Sequence, residues 1–279
     1  MPPAVRDLFR HAAAELEKLG VEAPAAEAGA LVAELCGISP AEAPLSTRPV
    51  SADRAAEFQR CLRRRIAREP VQYIFGRAYF YDLELEVTPA VLIPRPETEL
   101  LVDRALELLP ERGRLLDLGT GSGAIALAVA KHRQLAQVTG VDISPEALEV
   151  ARRNRERLGL ANVEFVSGDL FSALGDARFD VIAANLPYVP EADRPALAPE
   201  VALHEPALAL FAPEGGLAVI RRALEHTAEH LAPGGHALYE LDPRQARAVA
   251  GRLAELGFQA AVRRDLAGRE RIVEGALPR

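Results

Sequence analysis

A doubly wound α/β fold, with a mostly parallel sheet closed by an antiparallel tail and a small helical bundle in front of it, is predicted by three observations. First, the stretch RLLDLGTGSG (residues 114–123) runs from an apolar segment into three glycines, Gly119, Gly121 and Gly123, and a 3.6-period apolar pattern begins at Ile125. That order is strand, turn, helix. Second, strand and helix patterns alternate through the rest of the chain, with strands expected at 114–118, 137–142, 163–166, 179–184, 236–241, 259–263 and 270–273. Third, residues 3–68 carry helical periodicity throughout and no strand pattern.

Within that amino-terminal part, Val5, Leu8, Phe9, Ala12, Leu16 and Leu19 share one helix face, and Ala28, Leu31, Val32 and Leu35 share another. Gly20 and Gly37 punctuate them. Ser39 and Glu42 form a capping-box pattern with Pro40 at the first helical position, and Ser51 opens a further helix that carries Phe58, Leu62 and Ile66. A domain over 1–70 follows. Over 71–90 the pattern changes to a hairpin or extended linker, with Leu83, Leu85 and Val87 alternating against Asp82, Glu84 and Glu86. The segment VLIPRPETELLV then opens the domain over 91–279, and its Pro94 and Pro96 forbid a helix before Glu97. Arg95 is placed there to meet a carboxylate near the glycine loop, and Thr98 to cap the helix or donate. Ser144 and Pro145 start the helix after the second strand, and PGG at 233–235 turns the chain into the fifth.

The 279 residues suit one α/β core plus a smaller module. A composition 49% apolar and 26% charged is that of a globular protein, and no apolar run approaches the roughly 20 residues of a spanning helix. No signal peptide pattern opens the chain, so the expected compartment is the cytoplasm and no membrane partner is expected. Cys36 and Cys61 lie in apolar helical contexts without a CxxC, which points to free thiols and no metal site. The formal charge of −7 argues against a broad nucleic-acid surface. One basic cluster exists, Arg60, Arg63, Arg64, Arg65 and Arg68, which reads either as a solvated helix face or as a local RNA or acidic-partner contact.

The glycine loop reads as a cofactor site of nucleotide type. Glycines allow positive φ and close approach of backbone amides to a ligand, and Asp142, ending the second strand, is suited to ribose hydroxyls. GTGSGA also satisfies the relaxed dinucleotide pattern, so the loop alone leaves the cofactor open. After the fourth strand comes NLPY, with Asn185 and Tyr188 beyond a strand carboxyl end, where such sheets hold their chemistry.

The segments QYIFGRAYFYDLELEV, VLIPRPETELLV, DLGTGSGAIALAVA, VDIS, GDLF, FDVIAANLPY and HEPALAL, in this order, resemble the bacterial glutamine methyltransferases of peptide-chain release factors, the PrmC or HemK family. The likeness covers nearly the whole chain. It implies a class I, Rossmann-like methyltransferase domain that uses S-adenosylmethionine and releases S-adenosylhomocysteine. The methyl group goes to the side-chain amide nitrogen of the glutamine in the GGQ loop of a class I release factor. By this resemblance Gly119, Thr120, Gly121, Ser122 and Gly123 pass under the methionine part of the cofactor, Asp142 binds the ribose, and Asp169 with Leu170 borders adenine. Arg95 and Asn185 also belong to the expected cofactor site. Asn185, Leu186, Pro187 and Tyr188 form the reaction centre: the Asn185 side-chain oxygen and Leu186 carbonyl accept the amide hydrogens, Pro187 stiffens the turn, and Tyr188 packs on the substrate amide.

The family pattern is NPPY, and leucine stands at 186, which keeps the backbone acceptor but loses a locked φ. NLPY is also found in rRNA adenine dimethyltransferases, so adenine methylation remains an alternative. Those enzymes add a helical domain after the catalytic sheet, whereas here the extra helices come first, and nucleic acid is not the expected substrate. A nicotinamide-dependent oxidoreductase and a noncatalytic cofactor-binding protein are the readings from other classes. The amino-terminal bundle, without a glycine loop of its own, is expected to recognise the macromolecular substrate, and the connection holding Glu205 and Pro206 reads either as a lid or partner contact or as a plainly packed loop.

Overall fold

A computed structural model describes residues 2–278. Contacts divide the chain into two units: residues up to Phe75 together with Pro199–His204, and Gly76–Ala198 with Glu205 onward.

The first unit packs α1 (Val5–Lys18), α2 (Pro24–Cys36), α3 (Ala52–Ile66) and α4 (Val71–Phe75). Val5, Leu8, Ala12 and Leu16 of α1 and Ala28, Leu31, Val32 and Leu35 of α2 are buried together, so the faces expected from periodicity are the faces that pack. Two local expectations give way. Glu42 accepts from the backbone and side chain of Ser39 as a capping box requires, yet residues 40–45 close as turns and no helix follows, since Pro44 interrupts the ladder within a single turn. On α3, Ile66 is exposed and the buried face is completed by Cys61 and Arg65. Arg65 pairs with Glu27 and with Glu200, and Arg68 also reaches Glu200. Three of the five clustered arginines are thereby engaged inside this unit, because Arg64 pairs with Glu69. Both cysteines are free thiols, Cys61 buried and Cys36 half-buried.

The second unit begins earlier than the expected linker allows, because the hairpin β1 (Arg77–Phe80) and β2 (Leu83–Glu86) contributes Phe80, Leu83 and Leu85 to its core. Residues 71–75 are helical instead of extended and belong to the first unit. Next in order come α5 (Glu99–Leu108), β3 (Arg114–Leu118), α6 (Ala124–His132), β4 (Gln137–Asp142), α7 (Pro145–Leu158), β5 (Val163–Ser167) and β6 (Phe179–Ala184). Short elements follow: β7 (Val189–Pro190), α8 (Pro199–His204, in the first unit), α9 (Ala207–Leu210), β8 (Phe211–Ala212) and α10 (Pro213–Gly216). The chain ends with α11 (Ala218–Thr227), β9 (Leu231–Glu240), α12 (Ala246–Glu255), β10 (Gln259–Arg264) and β11 (Glu270–Ala276).

The main sheet has the order β10-β11-β9-β6-β3-β4-β5, parallel from β9 to β5, with β11 antiparallel to both neighbours. Both faces are covered. Leu115 of β3 and Val181 and Ala183 of β6 face one core, and Leu116, Leu118, Ile182 and Ala184 face the other. The fifth parallel strand starts before the expected position: PGG lies within β9, where the register jumps from Phe179↔Leu231 to Val181↔His236 and Gly234 takes positive φ. No helix among the described residues is long and apolar enough to cross a membrane.

The antiparallel tail is fastened by Glu274. Its carboxylate accepts from Arg104 Nε and Nη2, both at 2.9 Å, and pairs with Arg263. Burial opposes ionisation there, but the two guanidiniums outweigh it and hold the carboxyl at about 2. The folded value lies below the unfolded one of about 4.3, so this stabilisation is complete above pH ~4.3 and is lost as pH falls toward about 2. Glu274→Gln is expected to cost on the order of 2 kcal/mol at pH 7 and little at pH 2 in urea titrations at the two pH values.

Candidate active site

Sheet order reverses around β3, and the crevice beyond the carboxyl ends of β3, β4 and β6 holds a cavity of about 540 Å³. Its floor is the glycine loop. Gly119 and Thr120 donate to the Val141 carbonyl at 2.8 and 3.0 Å, which ties the loop to the end of β4. Beneath it, fully buried Asp117 accepts from Thr120 Oγ1 at 2.6 Å and from the Ala126 amide at 3.1 Å, joining loop and first helical turn. Burial raises this carboxyl to about 7, against the pull of those two bonds. Gly123 takes φ +84°, and a Cβ there would meet Leu127, Phe165 and Ala151.

Asp142 Oδ2 accepts from the Gly121 amide at 2.8 Å and Oδ1 from the Ser144 amide at 2.9 Å. Burial raises its carboxyl too. The carboxylate thus sits at the cavity wall facing neutral donors, the environment a ribose diol would extend. Asp169 and Leu170 also line the cavity, Leu170 with φ +52° and Asp169 paired to Arg222 at 2.6 Å. Thr120 and Ser122 complete the expected loop lining.

Asn185, Leu186 and Pro187 line the same cavity, which brings the expected reaction centre to the loop. Asn185 Nδ2 donates to Thr98 Oγ1 at 3.0 Å, and this commits the nitrogen and leaves Oδ1 as the acceptor. Leu186 is buried among the residues of the second core. Tyr188 is a correction to the expected set: it is absent from the cavity lining and packs on the second core, where burial pushes its hydroxyl up to about 12. The chain turns here because Gln245 Nε2 holds the Tyr188 carbonyl at 2.8 Å and β7 pairs with β8, which draws the ring away from the mouth. Arg95 lines the cavity, but its guanidinium pairs with buried Glu205, whose other oxygen accepts from the Ile93 amide at 3.2 Å. The Glu205 clasp thereby joins the PRPE segment to the connection after NLPY, from which Pro206, Leu208 and Ala209 reach the cavity.

Several contributors were not read from the sequence. Asn154 accepts from the Glu86 amide at 2.6 Å and donates to the Ser122 carbonyl at 3.0 Å, linking hairpin to loop from mid-helix, where no motif marks it. Asp117 had a signal, a carboxylate inside an apolar strand. Glu240 had one as well, at the carboxyl end of a strand in YELDP, and it is buried beside Thr98.

Residues 110–243 match the model of a methyltransferase domain and residues 7–76 that of the PrmC N-terminal domain. A release factor glutamine methyltransferase from Deinococcus radiodurans is 42% identical over 272 residues, covering 96% of this chain and 97% of that protein. The chain belongs to the release factor glutamine methyltransferase family. A Vibrio cholerae member of that family is 40% identical, covering 99% of this chain and 97% of its own length. A methyltransferase structure from Pyrococcus furiosus shares the fold, with TM-score 0.54, 21% identity and coverage of 82% of this chain and all (100%) of that one.

The turn after NLPY allows no side chain at Gly216. It has φ +86°, and a Cβ there would lie 1.9 Å from the Tyr188 carbonyl oxygen and 2.5 Å from Gln245 Nε2. Gly216→Ala is expected to lower stability by on the order of 2–3 kcal/mol, read from the urea midpoint.

Proposed function

We propose that this enzyme transfers a methyl group from S-adenosylmethionine to the side-chain amide nitrogen of the glutamine in the GGQ loop of class I peptide-chain release factors, in the cytoplasm. The observation that carries this reading is the placement of Asn185 and Leu186 on the cavity that also holds the glycine loop and Asp142. The residues present fit the cofactor: a backbone floor with three positive-φ glycines, a carboxylate for the ribose and an apolar border at Leu170.

When bound, S-adenosylmethionine supplies an electrophilic methyl group on a sulfonium. The amide nitrogen of glutamine is a poor nucleophile, because its lone pair is delocalised into the carbonyl. Asn185 Oδ1 and the Leu186 carbonyl accept its two hydrogens and aim the nitrogen along the line of the carbon–sulfur bond. The same dipoles favour the positive charge that develops as the nitrogen–carbon bond forms and the carbon–sulfur bond breaks. The amide proton becomes acidic only then and leaves to water, so no strong base is required. Pro187 biases Leu186 toward extended backbone and keeps its carbonyl aimed. The amino-terminal unit is the substrate-recognition module of this reading, and Pro206, Leu208 and Ala209 are the lid over the cofactor.

Transfer of labelled methyl to purified release factor, with the GGQ glutamine replaced by alanine and rRNA as parallel substrates, tests the reading. Label on the intact factor alone is expected; label on rRNA moves the assignment to adenine methylation, and label on the alanine variant moves it to another acceptor. Asn185→Ala is expected to lower kcat by about 10²–10³-fold with S-adenosylmethionine affinity retained in calorimetry. Asp142→Ala shows the opposite pattern in the same experiments, losing cofactor affinity by about 10-fold or more.

A further inference from the structure

The glycine loop meets α6 through an exchanged hydrogen bond. A helix continued backward from α6 would join the Ala126 amide to the Ser122 carbonyl. Here both groups are bonded elsewhere: the Ala126 amide donates to Asp117 Oδ2 at 3.1 Å, and the Ser122 carbonyl accepts from Asn154 Nδ2 at 3.0 Å. Asp117 comes from β3 and Asn154 from α7. With that bond parted, the loop does not wind into the helix. Ser122, Ala124 and Ile125 line the cavity, and their amides have no hydrogen-bond partner among the described residues. These are donors available to a cofactor.

We propose that Asn154 is a positioning residue for the cofactor: by holding the Ser122 carbonyl it keeps the glycine loop open ahead of α6, and by holding Glu86 it fixes that loop against the cavity wall. The inference rests on the S-adenosylmethionine reading proposed above. Asn154 Oδ1 accepts from the Glu86 amide at 2.6 Å and Nδ2 donates to the Glu86 carbonyl at 3.0 Å, so the side chain pairs with the end of β2 as a neighbouring strand would. Beyond Glu86 the chain reaches Ala90, Val91 and Leu92 on the cavity wall. Backbone polarity fixes the flip of this amide, because the Glu86 N–H only donates and the Glu86 and Ser122 carbonyls only accept.

Packing alone does not call for an amide at this position. Asn154 is 1% exposed, and the other buried residues of α7 are Ala147, Leu148, Val150 and Ala151. An apolar side chain would complete that face without desolvating an amide, a cost offset here because Oδ1 and both Nδ2 hydrogens are matched. The same helix closes on the loop one turn earlier, where a Cβ at Gly123 would lie 3.3 Å from that of Ala151. Loss of the Asn154 donor leaves the Ser122 carbonyl unmatched in a buried residue. It regains a partner only by turning, and that disturbs the floor of the cavity.

Calorimetric titration with S-adenosylmethionine, hydrogen exchange of the cofactor-free protein and steady-state methyl transfer to purified release factor form the test. Asn154→Leu, similar in size and without hydrogen-bonding groups, is expected to weaken S-adenosylmethionine binding about tenfold or more and to raise its KM in step. Because Asn185 and Leu186 follow β6, apart from this contact, kcat at saturating cofactor stays within about threefold. Exchange at the Gly121 and Gly123 amides, bonded to Asp142 and Thr120, quickens about tenfold while that of the β3–β4 ladder is unchanged. Asn154→Asp, which keeps the acceptor for the Glu86 amide and loses the donor to Ser122, shows the same pattern. Thr227→Val, which removes a buried hydroxyl donating to the Ala223 carbonyl at 2.7 Å in α11, is the control for lost stability alone and keeps wild-type cofactor affinity. Wild-type affinity or unchanged loop exchange in a folded Asn154→Leu overturns the inference, and so does an equal loss of affinity in Thr227→Val. If Asn154→Leu fails to fold, Asn154→Asp decides. If the wild type binds no S-adenosylmethionine, the cofactor reading fails, and loop exchange in the cofactor-free protein still decides the positioning role.

Discussion

Burial of both faces of the parallel sheet is the constraint on which the rest depends. Helices cover β3, β4 and β6 from either side, so chemistry is confined to the strand ends. The order reversal at β3 opens the crevice there, and the strands around it each deliver a group to it: the glycine loop from β3, Asp142 from β4 and Asn185 from β6. The covered sheet supplies the rigidity by which these groups stay in register.

Carboxylates at that rim divide their work according to what they meet. Asp117 is wholly enclosed and bonded to the loop and to α6, so it holds the backbone that receives the cofactor. Asp142 meets backbone amides and faces the cavity. Glu205 is satisfied by Arg95 and the Ile93 amide, which makes it a clasp between two segments distant in sequence. Glu240, buried at the end of β9, keeps Oε2 without a hydrogen-bond partner among the described residues, as enclosed Asp117 keeps Oδ1. Similar residues thus act differently because burial and partners differ.

The glycine loop, Asp142 and Asn185 were legible because each belongs to a contiguous strand-to-turn pattern whose geometry is local. The helix faces of α1 and α2 were legible for the same reason, apolar spacing being a property of the element itself. Tyr188 was not: its ring direction follows from the hold of Gln245 on its carbonyl and from the β7–β8 pairing, both made by residues far along the chain. Arg65, read as part of an exposed basic face, is buried because Glu27 and Glu200 neutralise it. The Ser39 and Glu42 bonds form as their spacing requires, and a helix does not, since one turn cut by Pro44 is too short to propagate.

By itself, the amino-acid sequence determined the α/β class, the order of strands and helices, the cofactor loop and the family resemblance, all of which reside in local periodicity and contiguous motifs. Tertiary structure alone decided that the hairpin at 77–86 belongs to the catalytic core, that Tyr188 turns inward, and that Thr98 stands behind Asn185. Those outcomes depend on side chains brought together across the sheet from positions more than fifty residues apart, and hydrogen-bond satisfaction on burial, which sets them, is a property of the assembled fold.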